Sequence, residues 1–149
     1  MDGELSVLSD LIKEAYPQLP ILVNVDDWMA QRFQAPTVFL LTHGVMETGS
    51  SLTSYQVVSE AVIVLHYPKV DGVYQPISTE PLRQLLRRMQ FSYRGKSDDL
   101  TIELDSTSLR IWRDKRDRAE ITFRFTYKAT VPKDEVDKIN IFDIEEVKT

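Results

Sequence analysis

The sequence predicts an α+β fold, an antiparallel β-sheet made of a hairpin and a three-stranded meander and flanked by two main α-helices. Three observations carry that expectation. Residues 118 to 131 alternate without a break, with Ala119, Ile121, Phe123, Phe125, Tyr127, Ala129 and Val131 on one side and Arg118, Glu120, Thr122, Arg124, Thr126, Lys128 and Thr130 on the other. Successive strand side chains point to opposite faces, so this is a long strand with one dry face, and a half-wet sheet favours antiparallel pairing. Residues 36 to 48 and 53 to 67 are rich in β-prone residues and are split by Gly49-Ser50-Ser51, which reads as a hairpin. Two further segments space their apolar residues as helices do.

The first helix carries Leu5, Leu8, Ile12 and Ala15 on one face, widened by Val7 and Leu11. Tyr16 precedes Pro17, which disfavours helical backbone and sets the end. Residues 21 to 25, ILVNV, read as a short strand, after which Asp26 or Asp27 caps one helical turn from 28 to 33. In the second run of the hairpin, Tyr55, Val57, Ala61, Ile63, Leu65 and Tyr67 share a face while Val58, Val62 and Val64 occupy the other. A strand apolar on both faces is either central or meets another subunit. Asp71-Gly72 marks a turn, and Ser78 or Thr79 then caps the second helix, with Pro81 in its first turn. Its buried stripe is Leu82, Leu85, Leu86 and Met89, with Arg83, Arg87 and Arg88 opposite. The meander is residues 100 to 104, a turn at Asp105-Ser106, residues 108 to 113, a turn at 114 to 117, and the alternating strand. Residues 1 to 132 form one domain, and residues 133 to 149, acidic with Ile139, Ile141, Phe142, Ile144 and Val147, form an arm without a clean period.

Composition narrows the chemistry. A chain of 149 residues, 42% hydrophobic and 28% charged, suits one domain with an ordinary core. The absence of cysteine excludes a disulfide framework, a thiolate metal site and a cysteine nucleophile. No apolar run approaches the roughly 20 residues that cross a bilayer, and the N-terminus lacks the basic start of a signal peptide, so a cytoplasm-like compartment is expected. The net charge of −5 argues against general nucleic-acid affinity. Its distribution is uneven, with three Lys or Arg against nine acids in residues 1 to 74. Basic clusters follow at Arg83, Arg87, Arg88 and Arg94, and at Arg110, Arg113, Lys115, Arg116 and Arg118. Separate acidic and basic surfaces suit contact between copies or with a partner, though solvated faces give the same pattern.

Candidate catalytic features are few. His43 and His66 fall in the two runs of one hairpin, and two ligands without a third define no zinc site, so ordinary strand positions are the reading. The acid pairs Asp26-Asp27, Asp98-Asp99 and Glu145-Glu146 are adjacent in sequence and so do not face one another on a helix or strand. There is no P-loop, dinucleotide fingerprint or nucleophile elbow. Trp112 among arginines suggests base stacking, but Asp114, Asp117 and Glu120 interleave with the bases and favour protein partners over nucleic acid.

Three segments, LSDLIKEAYPQLP near the start, VVSEAVIVLHYP in the hairpin and LRIWRDKRDRAEITFRFTYKATVPK near the end, carry a resemblance over most of the chain. In element order and texture it resembles the tail terminator, or tail completion and head-tail joining, proteins of long-tailed bacteriophages and prophages. The resemblance implies a non-catalytic structural viral protein, without cofactor or metal, that assembles as a ring, a hexamer, on the head-proximal end of the tail tube. There it would end tube polymerisation and present the docking surface for the head connector or neck protein. It also implies a place at the neck end of the virion tail, assembly in the host bacterial cytoplasm, no membrane, and DNA passing through the lumen without direct binding. The contact candidates are Arg83, Arg87 and Arg88, then Arg110, Arg113, Lys115 and Arg116, with Phe142 and Ile144 of the arm as apolar anchors. Two other readings compete: a monomeric adaptor of the neck or baseplate, and a small enzyme using the hairpin histidines with Asp26 or Asp27.

Overall fold

The computed structural model describes residues 3–49, 51–97, 99–113 and 116–130. The expected boundary at residue 132 and the arm at 133–149 lie outside these residues. Helix α1, Gly3–Ala15, buries Val7, Leu8, Leu11 and Ile12 and stops ahead of Pro17 as its sequence predicts. A two-residue strand β1, Ile21–Leu22, leads to helix α2, Val25–Met29. Asn24, rather than Asp26 or Asp27, caps it, its side-chain oxygen accepting from the Asp27 N–H at 2.9 Å. The hairpin follows as β2, Thr37–Gly49, and β3, Ser54–His66. Next come the small pair β4, Lys69–Val70, and β5, Val73–Tyr74, then helix α3, Glu80–Arg88. The Ser78 hydroxyl accepts from the Glu80 N–H at 3.1 Å, while Thr79 makes no capping bond through its side chain. The last strands are β6, Ser92–Arg94, β7, Thr101–Leu104, β8, Arg110–Trp112, and β9, Arg118–Thr130.

The expected architecture, a hairpin plus meander flanked by two helices, is incorrect. Among the described residues the protein is mostly β, a curled mixed sheet forming a half-barrel, with three short α-helices. Its strand order is β1-β2-β3-β9-β7-β6, with β8 also on β9. The sheet is mixed because β1 lies parallel to β2, Ile21 beside Val38 and Leu22 beside Phe39. The meander fails for a local reason. Both β7 and β8 pair antiparallel with the same edge of β9, Leu104 opposite Phe125 and Arg110 opposite Thr122. They form one edge line interrupted by an excursion, not two strands joined by a reversal. At the excursion, Asp105 accepts from the Thr107 N–H at 3.0 Å and shapes a short 3-10 turn at Ser106–Ser108. The Asp105 N–H donates to the Arg124 carbonyl at 2.9 Å, and the Ser108 hydroxyl accepts from the Arg124 N–H at 2.8 Å. These two bonds occupy the Arg124 backbone groups that lie between the β7 and β8 pairings.

The alternating strand is therefore central. Every residue of β9 pairs with β3, from Ser54 opposite Thr130 to His66 opposite Arg118. That position also accounts for the two apolar faces of β3. Its inner face, with Ala61, Ile63 and Leu65, meets α1 and α3 through Leu8, Leu11, Ile12, Leu82, Leu85 and Leu86. On the outer face, Val64 and Phe39 are buried at one end, where Trp28 of α2 stacks on Phe39 with ring centres 4.3 Å apart and planes 3° from parallel. Helix α3 ends without glycine: Gln90 and Phe91 both take positive φ, and the Phe91 N–H returns to the Leu86 carbonyl at 2.8 Å, turning the chain into β6.

Candidate functional site

The register brings Thr37, His66 and Arg118 side by side at one end of the three long strands. Around that end lies a hollow of about 430 Å³ lined by Trp28, Met29, Phe33, His66, Tyr74 and Arg118, among others. It exists because α2 and the loop after it fold over the outer face while the β4–β5 pair stands at the rim. The Trp28 indole N–H donates to Nε2 of His66 at 2.8 Å, which places the imidazole proton on Nδ1. Phe33 lies against the same imidazole, ring centres 4.6 Å apart. Asp117 and Arg118 form a two-pronged pair, both contacts 3.2 Å. Burial lowers the His66 pKa, the charge of Arg118 lowers it further, and Asp117 partly opposes them. The hydrogen bond from Arg118 holds the Asp117 carboxyl below its ordinary value against burial. His66 is thus a neutral acceptor tying down an indole.

Of the predicted basic residues, Arg83, Arg87, Arg88 and Arg110 make bonds within the chain. Arg83 and Arg87 lie on α3 away from its buried stripe, and both bond Glu80, at 3.3 and 2.7 Å. Arg88 reaches Glu14 of α1 at 3.5 Å. Arg110 donates to the carbonyls of Thr107 and Leu109, at 3.0 and 3.1 Å, so it closes the excursion between β7 and β8. The Glu80 carboxyl is held low first by its bond from Arg87, and then by the charges of Arg83, Arg87 and Arg113 against slight burial. Arg113 of the second cluster acts on this carboxylate through charge alone, while Arg83 and Arg87 touch it. Arg116 is exposed beside Asp117. Lys115, Phe142 and Ile144 lie outside the described residues.

The acids of α1 act inside the molecule. Glu4 accepts from the Ser59 hydroxyl at 2.6 Å and from the Tyr127 hydroxyl. Asp10 accepts from the Lys96 and Ser97 N–H groups and from the Ser97 hydroxyl, each at 2.9 Å. Burial pushes the Asp10 carboxyl up, and these bonds bring it below its ordinary value. Glu14 accepts from the Tyr93 hydroxyl at 3.0 Å and pairs with Lys96 at 3.3 Å.

The histidines do not converge. His43 pairs across the strands with Glu60 at 2.9 Å, and Glu60 to His66 along β3 spans ~20 Å at ~3.4 Å per residue. Among the described residues no three His, Cys, Asp or Glu cluster as metal ligands, and no helix is long and apolar enough to cross a membrane.

At the opposite end β2 and the turn after it stand clear of the packed body as one side of a ribbon, while Tyr127 of β9 still reaches Glu4 of α1. From Gly44 onward β2 is exposed along its length, with Val45 and Met46 39% and 54% exposed and Leu52 of the connecting turn 99% exposed. The register slips between Gly44 and Met46, a bulge of the kind that twists an edge. Among the described residues, β1 covers the β2 edge only at Val38 and Phe39.

Sequence reasoning missed the hollow, since Trp28 and Phe33 in the polar run DDWMAQRF have no period that assigns them a face. The available signal was two aromatics in a segment too short and polar to bury them by itself. The chain matches no protein-family model and no curated protein.

Proposed function

We propose that this chain is a structural, non-catalytic phage tail protein of the terminator type. It assembles as a ring, a hexamer, on the head-proximal end of the tail tube, ends tube polymerisation, and presents a docking surface to the head connector or neck protein. The neck end of the virion tail, after assembly in the host cytoplasm, is its place on this reading. The observation that carries it is the bare end of β2: from Gly44 onward this strand and its connecting turn are exposed and hold Val45, Met46 and Leu52 in water. Exposed apolar side chains on a strand edge cost solubility unless a partner covers them. The open β2 edge offers backbone groups for strand addition, which suits a repeating contact around a ring. The sequence resemblance supplies the class, and the ribbon supplies a contact surface of the right kind.

The test adds purified protein to polymerising tail tube subunits and measures tube length and subunit mass. Tube growth should stop, and replacing Met46 and Leu52 with Glu should release it. A stable monomer without affinity for tube or connector proteins would overturn the reading.

The aromatic hollow favours a second reading, a monomeric adaptor of the neck or baseplate that grips one partner segment. Particle imaging separates the two, because a terminator labels the neck alone.

A further inference from the structure

The hollow at the Thr37, His66 and Arg118 end has a shape and a charge that ask for a definite occupant. Its walls are aromatic, Trp28, Phe33 and Tyr74, and its mouth carries Met29, 72% exposed. A volume of about 430 Å³ lies within the range that buries a small ligand or a few side chains. The rim is basic. Lys69 sits 5.1 Å over the Tyr74 ring, and Arg116 is exposed next to the Asp117–Arg118 pair. The lining acid, Asp117, is already neutralised by Arg118. A complementary ligand is an extended peptide with an aromatic and an aliphatic anchor among carboxylates.

This chain contains such a sequence. Residues 139 to 146 read INIFDIEE, with Phe142 and Ile144 set between acids, and residues 133 to 149 hold six acids against three lysines. We propose that the aromatic hollow receives the segment around Phe142 and Ile144 from a second copy of this chain. Reach decides between the same copy and another. β9 runs from Arg118 at the hollow to Thr130 at the far end, ~41 Å at ~3.4 Å per residue, and Phe142 stands as far beyond Thr130 as Arg118 stands before it. A fully stretched segment would only just span the strand, with no length left to reverse direction. A neighbouring copy has no such constraint. Each copy then gives one segment and receives one, a head-to-tail contact that builds a ring when the rotation between copies closes. The inference rests on the ring reading of the previous section and names the contact that would build the ring.

The experiment uses the full-length chain carrying Trp112→Phe, so that Trp28 alone reports by emission. Light scattering gives the assembled mass across concentration. Phe142→Ala with Ile144→Ala should raise the concentration needed for assembly at least ~10-fold, since two buried apolar side chains are lost. Met29→Glu, at an exposed position that the fold does not need, should act in the same direction by setting a like charge at the mouth. A synthetic peptide of residues 133–149 in excess should shift Trp28 emission and dissolve the assembly. Normal assembly of the double alanine variant, or Trp28 emission indifferent to the peptide, overturns the proposal while leaving the tail function standing. A chain that is monomeric at every concentration, yet whose Trp28 emission responds to Phe142→Ala, overturns the second-copy assignment in favour of the same copy. If rings form and take the peptide but fail to stop tube growth, the terminator reading falls and this contact survives.

Discussion

The three long strands β2, β3 and β9 pair with one another from end to end but do not have the same surroundings at the two ends. At the Thr37, His66 and Arg118 end both faces are covered, by α1 and α3 inside and by α2 with the Phe33 loop outside. At the Gly49, Tyr55 and Ala129 end the ladder continues, but β2 is exposed. Backbone pairing alone therefore does not tell which part of this sheet is core. Side-chain cover does, and the difference teaches that the covered end sets stability while the open end is available for contact.

The strongest way to break that contrast is to hollow out the covered end. Phe39→Ala removes the ring beneath Trp28 and should cost ~3–5 kcal/mol in chemical denaturation, whereas Met46→Ala on the ribbon should stay within ~0.5 kcal/mol. Equal losses at the two sites would erase the distinction. Next in size is the fastening of α1. Asp10→Ala leaves two N–H groups and a hydroxyl without their acceptor and should cost ~2–3 kcal/mol, because bonds to a charged group are among the stronger ones. The Asp10 contribution should be present above the ordinary carboxyl pKa of 3.8 and fade as pH falls through the lower folded value.

A smaller effect belongs to the indole. Trp28→Phe keeps the stacking but loses the bond to His66, worth ~0.5–1.5 kcal/mol. Because the folded pKa of His66 is depressed, the unfolded chain binds the extra proton. Its share of stability should be complete above the ordinary pKa of 6.5 and decline as pH falls through the lower folded value. His66→Gln retains an acceptor without titrating, so it should flatten that decline; an unchanged pH profile would remove His66 from the account. The smallest expected change is on the ribbon: Leu52→Ser should leave thermal unfolding where it was and be felt only in assembly.

Much of the fold was legible in residues that decide their own neighbourhood. The stripe of Leu8, Leu11 and Ile12, the stop before Pro17, the β2–β3 hairpin and the alternation of β9 each follow from a local rule. Sheet order was not legible, because the excursion at Asp105 and Ser108 looks in sequence like an ordinary turn, and only the Arg124 backbone opposite it reveals that the chain resumes its direction. The same limit applied to the site. Charge counting found the arginines but not their partners: Glu14 meets Arg88 through the fold, whereas Glu80 lies one and two turns before Arg83 and Arg87 on the same helix. Trp28 and His66 are far apart in sequence and are brought together by α2 folding over the outer face of the sheet.

The central place of β9 carries a consequence for biosynthesis. β3 is made early, yet its second edge has no partner until β9 emerges, so the nascent chain carries an open edge while the intervening segments are translated. Such non-local pairing slows folding and leaves an edge that other chains can seize. Crowded synthesis of many copies thus favours interrupted substitutions in β9, such as Phe123→Pro, accumulating as aggregates rather than as soluble half-sheets.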